Sequence, residues 1–99
     1  MPEHPLATLD KLDPKMREHL KDMSDLIYGD GALPKKFKLL VAMAFDAAHG
    51  ADMGVAALAR AAMCEGATKE EIAEVLRVAY HLAGVGVLYT ASNGLKGVI

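Results

Sequence analysis

The sequence predicts an all-α domain, and three observations carry that prediction. Of 99 residues 53% are hydrophobic but only five are aromatic, and the apolar content rests on 17 alanines and six methionines, residues that favour closely packed helices over strands. Apolar positions recur at helical steps of three and four along most of the chain. Helix start and stop signals punctuate that periodicity at regular distances.

The elements follow in order. Residues 1 to 12 contain Pro2 and Pro5 and no sustained period, so they read as an arm or loop. Asp13-Pro14 supplies an N-cap followed by proline at the first helical position, where its missing N–H costs nothing. From there Met16, Leu20, Met23 and Ile27 draw one apolar stripe on a charged helix that stops at Gly29-Asp30-Gly31, which marks a half-exposed covering helix. Leu33-Pro34 opens a second helix in which Phe37, Leu40, Val41, Ala44, Phe45 and Ala48 take the inward stripe, with Leu39 and Met43 broadening it. This helix is expected to be central and the most buried.

His49-Gly50-Ala51-Asp52 predicts a kink or short break, with Asp52 capping the continuation through Val55, Leu58, Ala62 and Met63. Gly66-Ala67-Thr68-Lys69-Glu70-Glu71 is the clearest local signal: the glycine ends one helix, and Thr68 with Glu71 forms a capping box for the next. That helix runs at least to Tyr80 with Ile72, Val75, Leu76 and Ala79 inward. Gly84-Val85-Gly86 bends or ends it, and a last helix spans Val87 to Leu95. Residues 1–31 thus form an arm and covering helix, and residues 32–99 the helical core of a single domain.

Charge placement bounds the partners. Only four charged side chains, Asp46, Asp52, Arg60 and Glu65, lie between Leu39 and Thr68, whereas the first 38 residues hold 14 of the 24. A stretch that poor in charge is hard to hide in one small domain, so part of it is expected to face another subunit. The net charge of -2, with no basic cluster beyond Lys35, Lys36 and Lys38, argues against nucleic acid. The apolar run from Val78 to Ala91 is broken by His81 and glycines and falls short of the ~18 residues of a membrane span. One cysteine, Cys64, cannot form an internal disulfide, and the first residues lack the features of a secretory signal, so the expected location is cytoplasmic.

The runs Ala32-Leu33-Pro34-Lys35-Lys36-Phe37-Lys38-Leu39-Leu40 and Gly66-Ala67-Thr68-Lys69-Glu70-Glu71-Ile72-Ala73-Glu74-Val75-Leu76 resemble the carboxymuconolactone decarboxylase and alkylhydroperoxidase-D-like family. The segment Tyr80 to Tyr89 is similar to that family's glycine-rich turn, with Val85 where proline is common. The resemblance implies a helical bundle that assembles into dimers, trimers or hexamers. It also implies where chemistry would sit. The family's thiol peroxidases and disulfide reductases carry Cys-x-x-Cys-x-x-x-His, and those positions fall here on Ala51, Gly54 and Leu58. Their upstream glutamate falls near Lys38 or Leu39, and the decarboxylase histidine also falls on Leu58. The whole relay is replaced.

The remaining candidates come from the residues themselves. His49, at the predicted break and two residues before the first redox position, is the best general acid or base, since histidine titrates near pH 6.5. Asp46, three residues earlier on the same face, is placed to orient its imidazole. His81, in an apolar stretch, is expected to be buried or at a subunit interface and hydrogen-bonded. His4 and His19 read as solvated. Cys64 precedes a helix-ending glycine and stands beside Glu65, both of which disfavour a thiolate, so it reads as a buried or interface small apolar residue. Met16, Met23, Met43, Met53 and Met63 read as core, and Lys35, Lys36 and Lys38 as a solvated face. No cofactor or metal is implied, because His49 and Asp46 give two ligands where three or four are needed.

Three functions stay open: acid/base chemistry on a small organic acid or lactone through His49, His81 and Asp46; a non-catalytic binding or structural homo-oligomer; and a peroxidase or disulfide reductase working through Cys64.

Overall fold

The computed structural model describes residues 5–99, and every regular element in that range is helical: α1 (Ala7–Leu12), α2 (Pro14–Tyr28), α3 (Lys35–Ala48), α4 (Asp52–Cys64), α5 (Lys69–Ala83) and α6 (Gly86–Gly94). Helices α3 to α6 pack into one body around Met43, Val55 and Val87, the largest fully buried side chains, with α3 touching each of the other three. Helix α1 leans on α2 and α2 on α3, and neither α1 nor α2 buries a residue.

The capping signals work as read. The Asp13 carboxylate accepts from Met16 N–H at 3.1 Å, with Pro14 opening α2. Thr68 Oγ1 accepts from Glu71 N–H at 3.1 Å while Glu71 Oε1 accepts from Thr68 N–H at 2.9 Å, closing the box on α5. Gly50, Gly66 and Gly84 all take positive φ, the region where a Cβ is penalised, and each sits at a helix junction.

Elsewhere the tertiary structure redirects the local reading. The arm of residues 1–12 holds a short helix, α1, while His4 lies outside the described residues. The break at Gly50 is complete and separates α3 from α4, and Asp52 enters α4 as its first helical residue, so Ala51 takes the cap position without a side-chain bond. Pro34 cannot cap α3 with a side chain either; Asp30 Oδ1 does so from the preceding loop, accepting from Lys35 N–H at 2.8 Å.

The inward face of α3 differs most. Leu39, Leu40, Met43 and Ala47 are buried, whereas Phe37, Val41 and Phe45 are 46, 51 and 61% exposed. This helix is apolar on nearly all sides, so periodicity alone could not choose the face that meets α4, α5 and α6. Of the methionines expected in the core only Met43 is fully buried; Met63 is partly so, and Met16, Met23 and Met53 are exposed. Among the described residues no helix is long and apolar enough to cross a membrane.

Candidate functional site

The junction between α3 and α4 brings together a carboxylate, a phenol and a vacant Cβ position. Asp46 lies in the last turn of α3, and the Gly50 turn folds α4 back so that Gly54, in its first turns, faces that carboxylate. A Cβ built on Gly54 would lie 2.1 Å from Asp46 Oδ2 and 2.8 Å from its Cγ. The carboxylate therefore occupies the volume that any larger residue at position 54 would claim, against the amino end of a helix, where negative charge is favoured.

Tyr28, at the end of α2, completes this corner. It packs against the core, and its phenol pKa is raised above 10.0, first by burial and then by the negative charge of Asp46. The hydroxyl stays protonated throughout the neutral range and so keeps a proton it can donate. One residue on, Gly29 C=O accepts from Lys38 Nζ at 2.7 Å, which ties the end of α2 to the first turn of α3. Asp52, also in the first turn of α4, accepts from Asn93 Nδ2 of α6 and from Met53 N–H at 2.9 Å, which ties the turn to the last helix.

Ala51, Gly54 and Leu58 thus stand along the first two turns of α4, with Leu58 packed partly into the core. His49 is the residue closing α3 and is exposed, its ring leaning on Phe45 with centroids 6.3 Å apart and planes at 34°. Asp46 does not orient it: among the described residues no hydrogen bond or ion pair joins them, because the carboxylate points at α4 instead. His81, expected buried or at an interface, is exposed in the chain on the last turn of α5. No hydrogen bond links it to His49. Cys64, read as buried or at an interface, is also exposed in the chain. Among the described residues no three His, Cys, Asp or Glu side chains gather as metal ligands.

Tyr28 is the participant that sequence reasoning missed. It follows the apolar stripe of α2 but belongs to neither its polar nor its exposed side, and only the packing of α2 on α3 brings it to Asp46. The Gly54–Asp46 contact was equally hidden, since a glycine within a helix signals close approach without naming what approaches.

A second feature is an apolar groove of about 700 Å³ between α3 and α5, lined by Phe37, Val41, Phe45, Val75, Val78 and Leu82 among others. Lys36 closes one end: its Nζ donates to Glu71 Oε2 at 3.0 Å and lies 5.2 Å from the Phe37 ring centroid. That hydrogen bond, with one from Thr68 N–H, lowers the Glu71 pKa. Lys36 and Lys38 are therefore both engaged rather than merely solvated. Ala48, Leu82 and Ala83 line the other end, next in sequence to His49 and His81, which themselves stay outside the groove.

Comparison with known proteins relates the chain to a family. The family model for the carboxymuconolactone decarboxylase family matches residues 14–96. A crystal structure of a carboxymuconolactone decarboxylase family protein from Legionella pneumophila, in its apo form, superposes with a TM-score of 0.81 at 30% sequence identity, covering 92% of this chain and 81% of that one. No curated protein matches the chain.

Proposed function

Because the chain belongs to the carboxymuconolactone decarboxylase family, we propose that it is a self-associating member without the family's redox relay, one that performs acid/base chemistry on a small organic acid or lactone at the α3–α4 corner. The observation that carries this reading is the Asp46 carboxylate seated where a side chain at Gly54 would be, at the position onto which the second redox cysteine of the family's dithiol members falls. A carboxylate cannot exchange with a disulfide, but it can accept a proton. Tyr28, held protonated, donates a hydrogen bond to an oxygen that gains charge as the proton leaves. His49 lies one turn beyond Asp46 and is exposed. His81 has no part in this corner.

Turnover of small unsaturated lactones and β-keto acids, followed by absorbance, tests the reading. Asp46→Asn should lower kcat by about 100-fold or more, the ordinary worth of a positioned acid or base, and Tyr28→Phe should lower it less. Activity that survives Asp46→Asn would remove the corner from the chemistry.

A second reading, a homo-oligomer without catalysis, is favoured by the open apolar groove between α3 and α5. If no substrate of either class is turned over and the wild type sediments as an oligomer, that reading replaces the first.

A further inference from the structure

Two apolar surfaces of this chain lack partners within it, and they match. The groove between α3 and α5 presents Phe37, Val41, Phe45, Val78 and Leu82 to solvent along two helices of 14 and 15 residues that run side by side, about 22 Å in length. Helix α2 has 15 residues and so the same length, and turns Arg17, Leu20, Ser24 and Tyr28 toward its own chain while Met16, Met23 and Ile27 remain 47, 41 and 50% exposed on a neighbouring stripe.

Surface area shows how much is left uncovered. The chain exposes 6815 Å², whereas a monomer of 10.5 kDa ordinarily exposes about 5,400 Å². With residues 1–4 set aside at the most surface four such residues can have, about 700 Å², roughly 700 Å² of excess remains. That is close to the ~800 Å² each partner contributes to a standard interface.

Charge decides what fills the groove. Its charged lining side chains are Glu71, already paired with Lys36, and Glu74, which has no ion-pair partner among the described residues. An anionic acyl ligand would meet Glu74 as a like charge. The exposed stripe of α2 is instead bordered by Lys15 and His19, which have no ion-pair partner among the described residues either.

From these matches we propose that the groove of each chain receives the exposed stripe of α2 from a second copy, a helix-in-groove contact in which Met16, Met23 and Ile27 cover Phe45, Val78 and Leu82 and Lys15 or His19 meets Glu74. This rests on the self-association stated above and names the surfaces that make it. Helix α2 keeps its own chain's contacts through its other face, so no unfolding precedes assembly.

Sedimentation of the full-length chain, together with cross-linking, tests it. The wild type should be oligomeric at micromolar concentration, and Met23→Glu and Val78→Glu should each weaken association by about 100-fold or more with helical circular dichroism unchanged, since each puts an unpaired charge into a dry contact. Should either glutamate variant fail to fold, cross-linking supplies the readout. In a Cys64→Ser background, a mixture of Met23→Cys and Val78→Cys chains treated with a short bismaleimide should yield the mixed dimer in excess over either chain with itself. A monomeric wild type overturns self-association and this contact together. An oligomeric wild type whose association survives Met23→Glu, or whose Val78→Cys chains cross-link to one another instead, overturns α2 as the occupant and leaves self-association standing.

Discussion

Replacing Gly54 by alanine should give opposite results in two backgrounds, and the contrast measures how firmly Asp46 holds its place. In an ordinary helix interior Gly→Ala stabilises by about 0.5–1 kcal/mol, because alanine has less backbone freedom to lose. Gly54 has no positive φ to oppose that gain. Its new methyl would, however, lie 2.1 Å from Asp46 Oδ2 and 2.8 Å from Cγ, well inside any real contact. The aspartate must swing about χ1, giving up its position at the amino end of α4, a charge–dipole interaction of about 0.3–1 kcal/mol, or stay and strain the packing at about 1–3 kcal/mol. Gly54→Ala in the wild type is thus neutral to destabilising by up to about 2 kcal/mol. With Asp46→Ala already present it should stabilise by about 0.5–1 kcal/mol. Thermal unfolding of the four chains of this cycle, at one protein concentration so that assembly does not shift the midpoints, should show a coupling of about 1 kcal/mol or more, or about 4–8 °C for a domain of this size. Equal effects of Gly54→Ala in both backgrounds would mean that the carboxylate does not rest on α4, and the proposed acid/base corner would lose its foundation.

The capping box of α5 gives a second prediction: Thr68→Ala should cost about 1 kcal/mol at neutral pH, and Glu71→Gln should have a pH-dependent cost. The folded chain lowers the Glu71 pKa below 4.5, chiefly through the hydrogen bond from Lys36, so that charge contributes stability above the unfolded pKa and loses it as pH falls through the folded one. The melting-temperature gap between wild type and Glu71→Gln should accordingly hold from pH 7 to 5 and narrow below about 4; a gap that widens with acid would reverse the assignment. For the thiol, hydroperoxide turnover by the purified chain should not exceed that of a free thiol and should be indifferent to Cys64→Ser, because a dithiol mechanism needs a resolving partner and the sequence has a single cysteine. Turnover several orders of magnitude faster that vanishes in Cys64→Ser would restore the peroxidase reading.

Wherever a local interaction defines the structure, the residues alone determined it. Asp13-Pro14 at the start of α2, the Thr68–Glu71 box at the start of α5 and the glycines at the junctions act within a few residues of chain, so their outcome is written in their order. The all-α class follows from the same signals taken together, and the two motif runs pointed to the family that the comparisons identify. Of the proposed corner two residues were legible, since Asp46 was a candidate and Gly54 stood at a redox position of the resemblance. What contacts it was not. Periodicity on α3 could not choose between two apolar faces, so Phe37, Val41 and Phe45 were assigned inward where Leu39, Met43 and Ala47 went. Helical spacing put Asp46 and His49 on one face, yet the Gly50 turn carries α4 across that face and draws the carboxylate to Gly54, while Tyr28 arrives from a helix 18 residues earlier in sequence. Such contacts depend on how whole helices cross, which is set by the sum of many small packing terms, and no short run of residues encodes that sum.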